Sequence, residues 1–365
     1  MPNKKSTTLK KRVFVAMSGG VDSSVVAALL VKEGYAVTGV FMKVWEPDFL
    51  PCTWREERQD AMRVAAHLGI PLLTWDFERE YKEGVADYMI REYKAGRTPN
   101  PDVMCNKEVK FGAFFRRAIA MGADYVATGH YARIAFDQQE GVCRMFAGVD
   151  ETKDQSYFLW TLGQEELKKT LFPIGEYKKM KVRAMAKKFA LPTAEKKDSQ
   201  GLCFVGKLDM KDFLLHFMEK KEGVVVNQEG EQIGTHQGAY FYTLGERRGF
   251  TITKKTTTET PYYIIAKDLV QNTLTVAHKT SAKSLEQGTK EIRIAQMNVC
   301  VGGVFDTEKT YTARIRYHGE AHVCKAHNLN GTSAILEFEK PVLVASGQSV
   351  VLYDNDECVG GGIVE

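Results

Sequence analysis

SGGVDSS, Ser18 to Ser24, follows the apolar run VFVAM (Val13–Met17) and leads into SSVVAALLVKEG, an apolar stretch that ends at Gly34. A short buried strand, a turn of small residues and a helix closed by glycine is the simplest reading. Gly19 and Gly20 let the backbone approach an anion and take conformations that a Cβ forbids. Backbone N–H groups at the helix start then face that anion, and Ser18, Ser23 and Ser24 add hydroxyl donors. Asp22 is itself anionic, so it is expected to cap the helix or hold Mg²⁺. No Gly-Lys-Ser/Thr follows, which excludes a Walker A loop. Working outward, YAVTGVFM (Tyr35–Met42) reads as a strand, EERQDAMRVAAHLG as a helix closed by Gly69, and PLLTWDF as a third strand. A helical pattern covers Asp76 to Tyr93, VKFGAFFRRAIAMG is a helix ending at Gly122, and DYVATGH (Asp124–His130) is a further strand. Strands separated by helices of this length predict an α/β domain with a parallel sheet.

Beyond it, residues 131–150 read as a hairpin, and helical patterns rich in Lys and Arg run from Gln155 to Ala190, where Leu191-Pro192 breaks them. A short helix is expected near Lys207 to Lys220. The texture then changes to alternating runs between turn signals: VVVNQEGEQIG, TLTVAHK, YTARIRYHG, SAILEFE and QSVVLYDND. Lys254 to Thr260 reads as a polar, flexible loop, and residues 223–250, by their Gly and Gln content, as a loop ordered around RNA. The resulting division is a flexible extension over 1–12, a catalytic α/β domain over 13–207, a small central domain over 208–275 and a C-terminal β-barrel over 276–365.

Hydrophobic residues make up 44% and charged residues 26% of the 365, which excludes a disordered chain. No apolar run reaches the length of a membrane span, and the basic N-terminus lacks the apolar core of a secretory signal. A cytoplasmic protein is therefore expected. The net charge of +4, from 50 basic and 46 acidic residues, leaves a nucleic-acid partner open. Basic clusters that would suit phosphates lie at Lys178 to Lys188, at Lys196-Lys197 and at Arg247-Arg248.

Seven cysteines without an export signal do not form a disulfide framework. Cys143, Cys300, Cys324 and Cys358 sit in strand-like text and read as buried structural thiols; Cys52 lies in a loop and stays open. Two others differ. Cys105, with Asp102, lies in AGRTPNPDVMCNKEVKFG, and Cys203 in KKDSQGLCFVG, 98 positions later. Both segments read as polar loops flanked by lysines (Lys107 and Lys110; Lys196, Lys197 and Lys207), and cationic neighbours favour the reactive thiolate.

SGGVDSS resembles the PP-loop of ATP pyrophosphatases, which split ATP between its α and β phosphates. Taken with GYAVTGVFMKVW, DYVATGHYAR, KDQSYFLW, FPIGEY, HQGAYFYTLGERRG, VGGGIVE and the two cysteine segments, the chain from Val13 to Glu365 resembles the bacterial tRNA-specific 2-thiouridylase family. That resemblance implies adenylation of the C2 oxygen of the wobble uridine in the tRNAs for Lys, Glu and Gln, using ATP and Mg²⁺. Sulfur would then come from a persulfide delivered by an upstream carrier protein. It implies that Cys203 carries the persulfide and that Cys105 is the nucleophile that helps release the sulfur, leaving a Cys105–Cys203 disulfide; Asp102 would serve as acid/base. It further implies ATP contacts at Ala16, Met17, Ser18, Gly19, Gly20, Val21, Asp22 and Ser23, with Met42 and Gly129 on the adenine or ribose side. By the same resemblance Asn100, Pro101 and Asp102 meet the target base, and His130, Lys153, Asp154, Gln155, Arg316, Tyr317 and Gln348 contact tRNA. Two other readings of the motifs are a PP-loop synthetase for a small molecule and a nucleotide-gated RNA-binding module without catalysis. Neither accounts for the paired cysteine segments.

Overall fold

A computed structural model describes residues 10–50, 53–198, 210–254, 261–278 and 288–365. The chain divides into two compact units: Met1–Gly84 with Val103–Gln200 and Asp356–Cys358, and Val85–Asp102 with Gly201–Asn355 and Val359–Glu365.

In the first unit, strand β1 (Arg12–Ala16) lies at the centre of a parallel sheet. Helix α1 (Val21–Lys32) follows, then β2 (Ala36–Lys43), helix α2 (Trp54–Leu68), β3 (Leu72–Asp76) and, after the helices of residues 78–120, β4 (Tyr125–Ala127). The spatial order is β3-β2-β1-β4, with the short strand Thr170–Leu171 beyond β4. β1 is buried on both faces after Arg12, which is why it reads as an unbroken apolar run. α1 is apolar nearly all round because it is enclosed: Val25, Val26, Ala27 and Leu30 pack with Val13, Val15, Val64, Ile174 and Val182. Each Val or Leu so buried contributes about 1.5–3 kcal/mol. α2 is amphipathic instead. It turns Ala61, Val64 and Ala65 inward and ends at Gly69, in the left-handed region.

Two expectations change here and a third holds. The helical text of 155–190 is divided into a turn at Ser156–Leu159, a short helix at Gln164–Leu167, the strand Thr170–Leu171 and the helix Lys179–Lys188. Pairing of Thr170–Leu171 with β4 draws those residues into the sheet. DYVATGH is a strand only over Tyr125–Ala127; Thr128 to His130 leave the sheet. The expected hairpin is present as Ala132–Asp137 and Val142–Ala147.

The second unit holds two sheets. One has the order Thr251–Ile252, Gln232–His236, Gly223–Val226, Thr273–His278, Tyr262–Asp268. The first half of residues 223–250 is therefore a pair of strands rather than a loop, while 237–250 holds no strand. Gly223–Val226 and Gln232–His236 are a hairpin whose turn is tied by Asn227, its Oδ1 accepting from the amides of Glu229 and Glu231 at 3.1 and 2.8 Å. Residue 275, where the sequence reading divides the chain, lies inside Thr273–His278, and that strand pairs on both sides within this sheet. The other sheet closes into a barrel: Thr289–Val299 pairs with Ser333–Val342 on one side and with Ile294↔Val364 and neighbouring pairs on the other. Its core alternates along the strands, with Ile292, Ile294, Ala313, Cys324, Leu336, Phe338 and Leu352 inside. YTARIRYHG is a strand only over Thr310–Arg314, because His318 takes a left-handed conformation (φ 55°) and the Gly319 amide closes a turn onto the Arg316 carbonyl at 3.0 Å. Most of Lys254 to Thr260 lies outside the described residues, as do residues 207–209 before the helix Met210–Leu214.

Candidate active site

The sheet order reverses at β1: the chain goes from β1 to β2 on one side and later returns to β4 on the other. Ligands of open α/β sheets bind at such a switch point, off the carboxyl ends of the strands. Two loops meet there. After β1, the chain passes Met17 and Ser18 to Gly19, which is left-handed (φ 72°), and enters α1 at Gly20 without any side-chain cap. A Cβ at Gly19 would run into the Glu57 carbonyl. The serines tie the loop to itself. Ser23 Oγ accepts from the Ser18 amide at 3.3 Å, and Ser24 Oγ donates to the Gly20 carbonyl at 2.7 Å. Lys196 Nζ fixes the outer side, donating to the Gly19 carbonyl at 3.1 Å and to Asp60 at 2.7 Å. The second loop brings Gly129 against the first turn of α1, where a Cβ would stand 3.1 Å from the Ser23 amide nitrogen and 3.2 Å from Asp22 Cβ. Ala16, Met17, Val21 and Met42 are buried around this crevice. An uncapped helix start beneath two loops of small residues suits an anion, because its amides remain available.

Asp22 neither caps α1 nor stands ready for a metal. Its carboxylate accepts from Lys179 Nζ at 2.7 and 2.8 Å and from the Tyr131 hydroxyl at 2.9 Å. Burial and then the Asp22 charge push the Tyr131 phenol up. Lys179 also pairs with Asp198 at 2.9 Å, and Asp198 collects Arg183 at 2.5 Å and Lys153 at 3.4 Å. Burial raises the Asp198 pKa, but the Lys179 hydrogen bond and the surrounding cations outweigh it and leave the carboxyl below its usual value. Among the described residues no three His, Cys, Asp or Glu side chains gather to hold a metal ion.

Cys105 is not in a loop. Pro101–Met104 is a helical turn, with Pro101 at its first position, where a missing N–H costs nothing. The helix continues through Cys105–Phe114 in π-helical winding. Asp102 is therefore helical, and the Cys105 thiol is fully buried. Of its lysines, Lys107 lies 3.9 Å from Glu108, and Lys110 Nζ lies 3.4 Å from His130 Nε2. Asn106 Nδ2 donates to the Phe158 carbonyl at 3.2 Å. Cys203 and Cys52 lie outside the described residues, and no disulfide joins two described cysteines. Cys143, Cys300, Cys324 and Cys358 are buried, as strand-like text implies.

The residues expected at tRNA divide. His130 is 5% exposed, between Phe111 and Phe172, with Nδ1 2.7 Å from Thr128 Oγ1. Burial and then Lys110 hold its pKa well below the usual value, so the ring is neutral and Nε2 accepts from Lys110. Asp154 is buried too: its carboxylate accepts from the amides of Gly148 and Ser156 and from the Ser156 hydroxyl. Gln155 bridges the Tyr131 backbone. Lys153 is half-exposed beside Asp198. In the second unit, Arg316 Nη2 donates to the Leu244 carbonyl at 2.9 Å, the Tyr317 ring lies against that of His318 at a tilt of 55°, and Gln348 Oε1 accepts from the Ala345 amide at 3.5 Å. Asn100 and Pro101 stand at the start of the helix that carries Asp102.

Sequence reading missed Tyr131, Asp198 and the pairing role of Lys179 and Arg183. KMKVR carried a signal, one face of basic residues, which the sequence reading offers to phosphates; in this structure Lys179, Arg183 and Lys187 are paired with Asp22, Asp198 and Glu195.

Three family models match in succession: a tRNA methyl transferase HUP domain over residues 11–207, a tRNA methyl transferase PRC-barrel domain over 211–278, and an aminomethyltransferase beta-barrel domain over 289–364. The chain is 44% identical over 360 residues to the tRNA-specific 2-thiouridylase MnmA of Enterococcus faecalis, covering 98% of this chain and 96% of that one. It is 46% identical over 360 residues to MnmA 1 of Geobacillus kaustophilus, with 98% and 96% covered. Against MnmA of Bacillus pumilus the identity is 44% over 358 residues, with 97% and 95% covered. Similarity of this extent, running through all three domains, makes the chain a member of the tRNA-specific 2-thiouridylase family.

Proposed function

We propose that this chain is a cytoplasmic tRNA-uridine 2-sulfurtransferase that adenylates the C2 oxygen of the wobble uridine of the tRNAs for Lys, Glu and Gln and replaces it with sulfur. The observation that carries the reading is the pair of loops at the sheet's switch point, with Gly129 packed on the uncapped start of α1. ATP would lie there along Ala16 to Ser23, its phosphates at the α1 amides and its adenine or ribose towards Met42 and Gly129. Attack of the uridine oxygen on the α-phosphate releases pyrophosphate and turns a poor leaving group into AMP. Asp22 is already engaged, so Mg²⁺ would arrive with the phosphates, as this ion commonly does.

A Cys203 persulfide, loaded by the carrier protein, supplies the sulfur. Either it attacks C2 directly, or the Cys105 thiolate first frees its outer sulfur as sulfide. On either route AMP leaves with the uridine oxygen, Cys105 bonds to the inner sulfur of Cys203, and an external thiol reductant restores the pair. Asp102 would move the accompanying proton. In this assignment residues 13–207 form the catalytic domain, the central domain runs to the end of the strand Thr273–His278 rather than to 275, and the barrel that follows it contacts tRNA. Asn100 and Pro101 meet the base, and Lys153, Gln155, Tyr317 and Gln348 the tRNA. His130, Asp154 and Arg316 hold the surfaces from which those contacts are made.

Mass spectrometry of tRNA incubated with the enzyme, ATP, Mg²⁺ and a sulfur source tests this. Wild type should yield 2-thiouridine, and Cys105→Ser and Cys203→Ser should not. A Ser variant that thiolates at the wild-type rate removes that residue from the relay.

A further inference from the structure

Thr98 is 7% exposed and tied twice: its amide donates to the Ser346 carbonyl at 2.7 Å, and its hydroxyl oxygen lies 3.1 Å from that of Thr243. We propose that Thr98 is a positioning residue for Asp102, holding that carboxyl in one frame with Arg247 and Arg248, the basic pair that suits RNA phosphates. The inference rests on the acid/base role proposed for Asp102 above and adds to it what sets the carboxyl in place.

The link from Thr98 to Asp102 is short and stiff. Between them stand Pro99, Asn100 and Pro101. Each proline fixes its own φ near about −65°, and a residue before proline is confined to extended conformations. Thr98 and Asn100 are both such residues, so four successive positions have little freedom. Pro101 then passes straight into the helical turn that carries Asp102. Behind Thr98 the chain is fixed as well, because Arg97 meets the Glu92 carboxylate through Nε at 2.5 Å and Nη2 at 2.8 Å. A shift at Thr98 is therefore passed on to Asp102 rather than absorbed.

The other end of the hydroxyl contact is a braced turn, residues 242–249. Lys267 Nζ donates to the Tyr242 carbonyl and Arg316 Nη2 to the Leu244 carbonyl, both at 2.9 Å. Gly245, left-handed at φ 80°, donates its amide to the Ile264 carbonyl at 2.6 Å. The Thr243 amide donates to Glu246 Oε2 at 3.0 Å. Arg247 and Arg248 stand on this same turn and are exposed. Contacts to phosphates set the register of a protein on a nucleic acid, whereas an acid/base must come within hydrogen-bond reach of its proton. A frame shared by both leaves the bound RNA and the carboxyl little independent play, and the Thr98–Thr243 contact is where the frame reaches Asp102. All of these residues belong to the second unit.

Steady-state thiolation of tRNA by the full-length protein, with the product read by mass spectrometry, tests the assignment. Thr98→Val keeps the outline of the side chain and removes the hydroxyl. It should lower kcat roughly tenfold, since a small misplacement of a reacting group is costly, while KM for tRNA stays within about twofold. Thr98→Ser should return kcat to within about twofold of wild type. The decisive arm is a double-mutant cycle. In an Asp102→Asn background the same Thr98→Val change should cost less than about twofold, because no carboxylate remains to be placed. The same tenfold loss there, a loss seen only in KM, or a Thr98→Ser protein as slow as Thr98→Val would overturn the proposal. If the Asp102→Asn rate falls below detection, the Thr98→Ser rate and the split between kcat and KM decide. Should Thr98→Val fail to fold, Thr243→Val removes the partner hydroxyl instead, with Thr243→Ser as its rescue and the same expectations. A wild type that does not thiolate overturns the function proposed above, and an Asp102→Asn protein at the wild-type rate overturns its acid/base step. A wild-type kcat in Thr98→Val sinks this inference alone.

Discussion

Gly129→Ala tests the proposed nucleotide site without replacing a charged side chain. The new methyl would stand 3.1 Å from the Ser23 amide nitrogen, 3.2 Å from Asp22 Cβ and 3.3 Å from the Asp22 carbonyl carbon. None of these atoms can swing aside as the end of a long side chain can. Relief requires the 128–130 loop or the start of α1 to move by a few tenths of an ångström. Overpacking of this kind costs about 1–3 kcal/mol, and the small overlap places it near the lower end. In a unit of this size, roughly 1 kcal/mol lowers Tm by about 2–4 °C. Affinity should suffer more, because the displaced amides are the ones proposed to face phosphate. Weakening charge-assisted hydrogen bonds by about 1.4 kcal/mol in total costs tenfold in Kd. Thermal melts with and without ATP measure both quantities, with Gly331→Ala, whose methyl would meet nothing within 4 Å, as the neutral control. A Gly129→Ala protein that binds ATP like wild type would refute the placement of the nucleotide between β1 and β4.

Other outcomes follow from named contacts. His130 has a pKa held well below 6.5 by burial and then by Lys110, so the unfolded chain takes up the proton first. Its stability contribution is complete above about pH 6.5 and declines as the pH falls below it; His236 shifts in the same direction. Urea unfolding at pH 7.5 and 5.5 should therefore show a smaller pH-dependent loss in His130→Gln than in wild type, and equal losses would refute the assignment. Arg316→Ala should cost about 1–3 kcal/mol in the absence of RNA by removing the hydrogen bond to the Leu244 carbonyl. A thermal melt identical to wild type would leave Arg316 no structural part. Binding of tRNA should weaken steeply between low and moderate salt, since phosphate contacts release counterions; a flat salt dependence by filter binding would argue against a phosphate-led interface.

The α/β domain was legible because its signals are local. A strand, two glycines and a helix closed by Gly34 need no distant partner to be read, and the barrel announces itself by alternation with turns such as the one at Asn355. What was not legible depends on pairing. Nothing in KKMKVR says that Lys179 meets Asp22, 157 positions earlier, instead of RNA. Thr170–Leu171 reads as helix until β4 offers it an edge. Arg316 and Tyr317 read as strand until His318 turns the chain. Cys105 was singled out for a polar, turn-rich neighbourhood. Yet Pro101 starts a helix there, and Val103, Met104, Val109 and Phe111 line its buried side.

That burial carries a consequence for the proposed sulfur relay. A thiol with no exposed surface can neither meet a persulfide nor be alkylated until its segment opens. The segment is the π-helical stretch Cys105–Phe114, a winding rarer than the α-helix and concentrated at functional sites. If opening costs about 4 kcal/mol, within the span of local unfolding energies, alkylation of Cys105 is slowed roughly a thousandfold relative to an exposed thiol. Cys143 and Cys324 supply internal references: burial raises both thiols, Cys324 to about 12, and no role in the reaction is proposed for either. In the protein alone, Cys105 should alkylate as slowly as these two. With tRNA and ATP present it alone should speed up, because the proposed reaction needs its sulfur. Quantitative iodoacetamide labelling read by peptide mass spectrometry distinguishes the cases. Rapid labelling of Cys105 without RNA would show that the helix does not shield it. A Cys105 rate unmoved by tRNA and ATP, in a protein that still thiolates tRNA, would exclude this thiol from the relay.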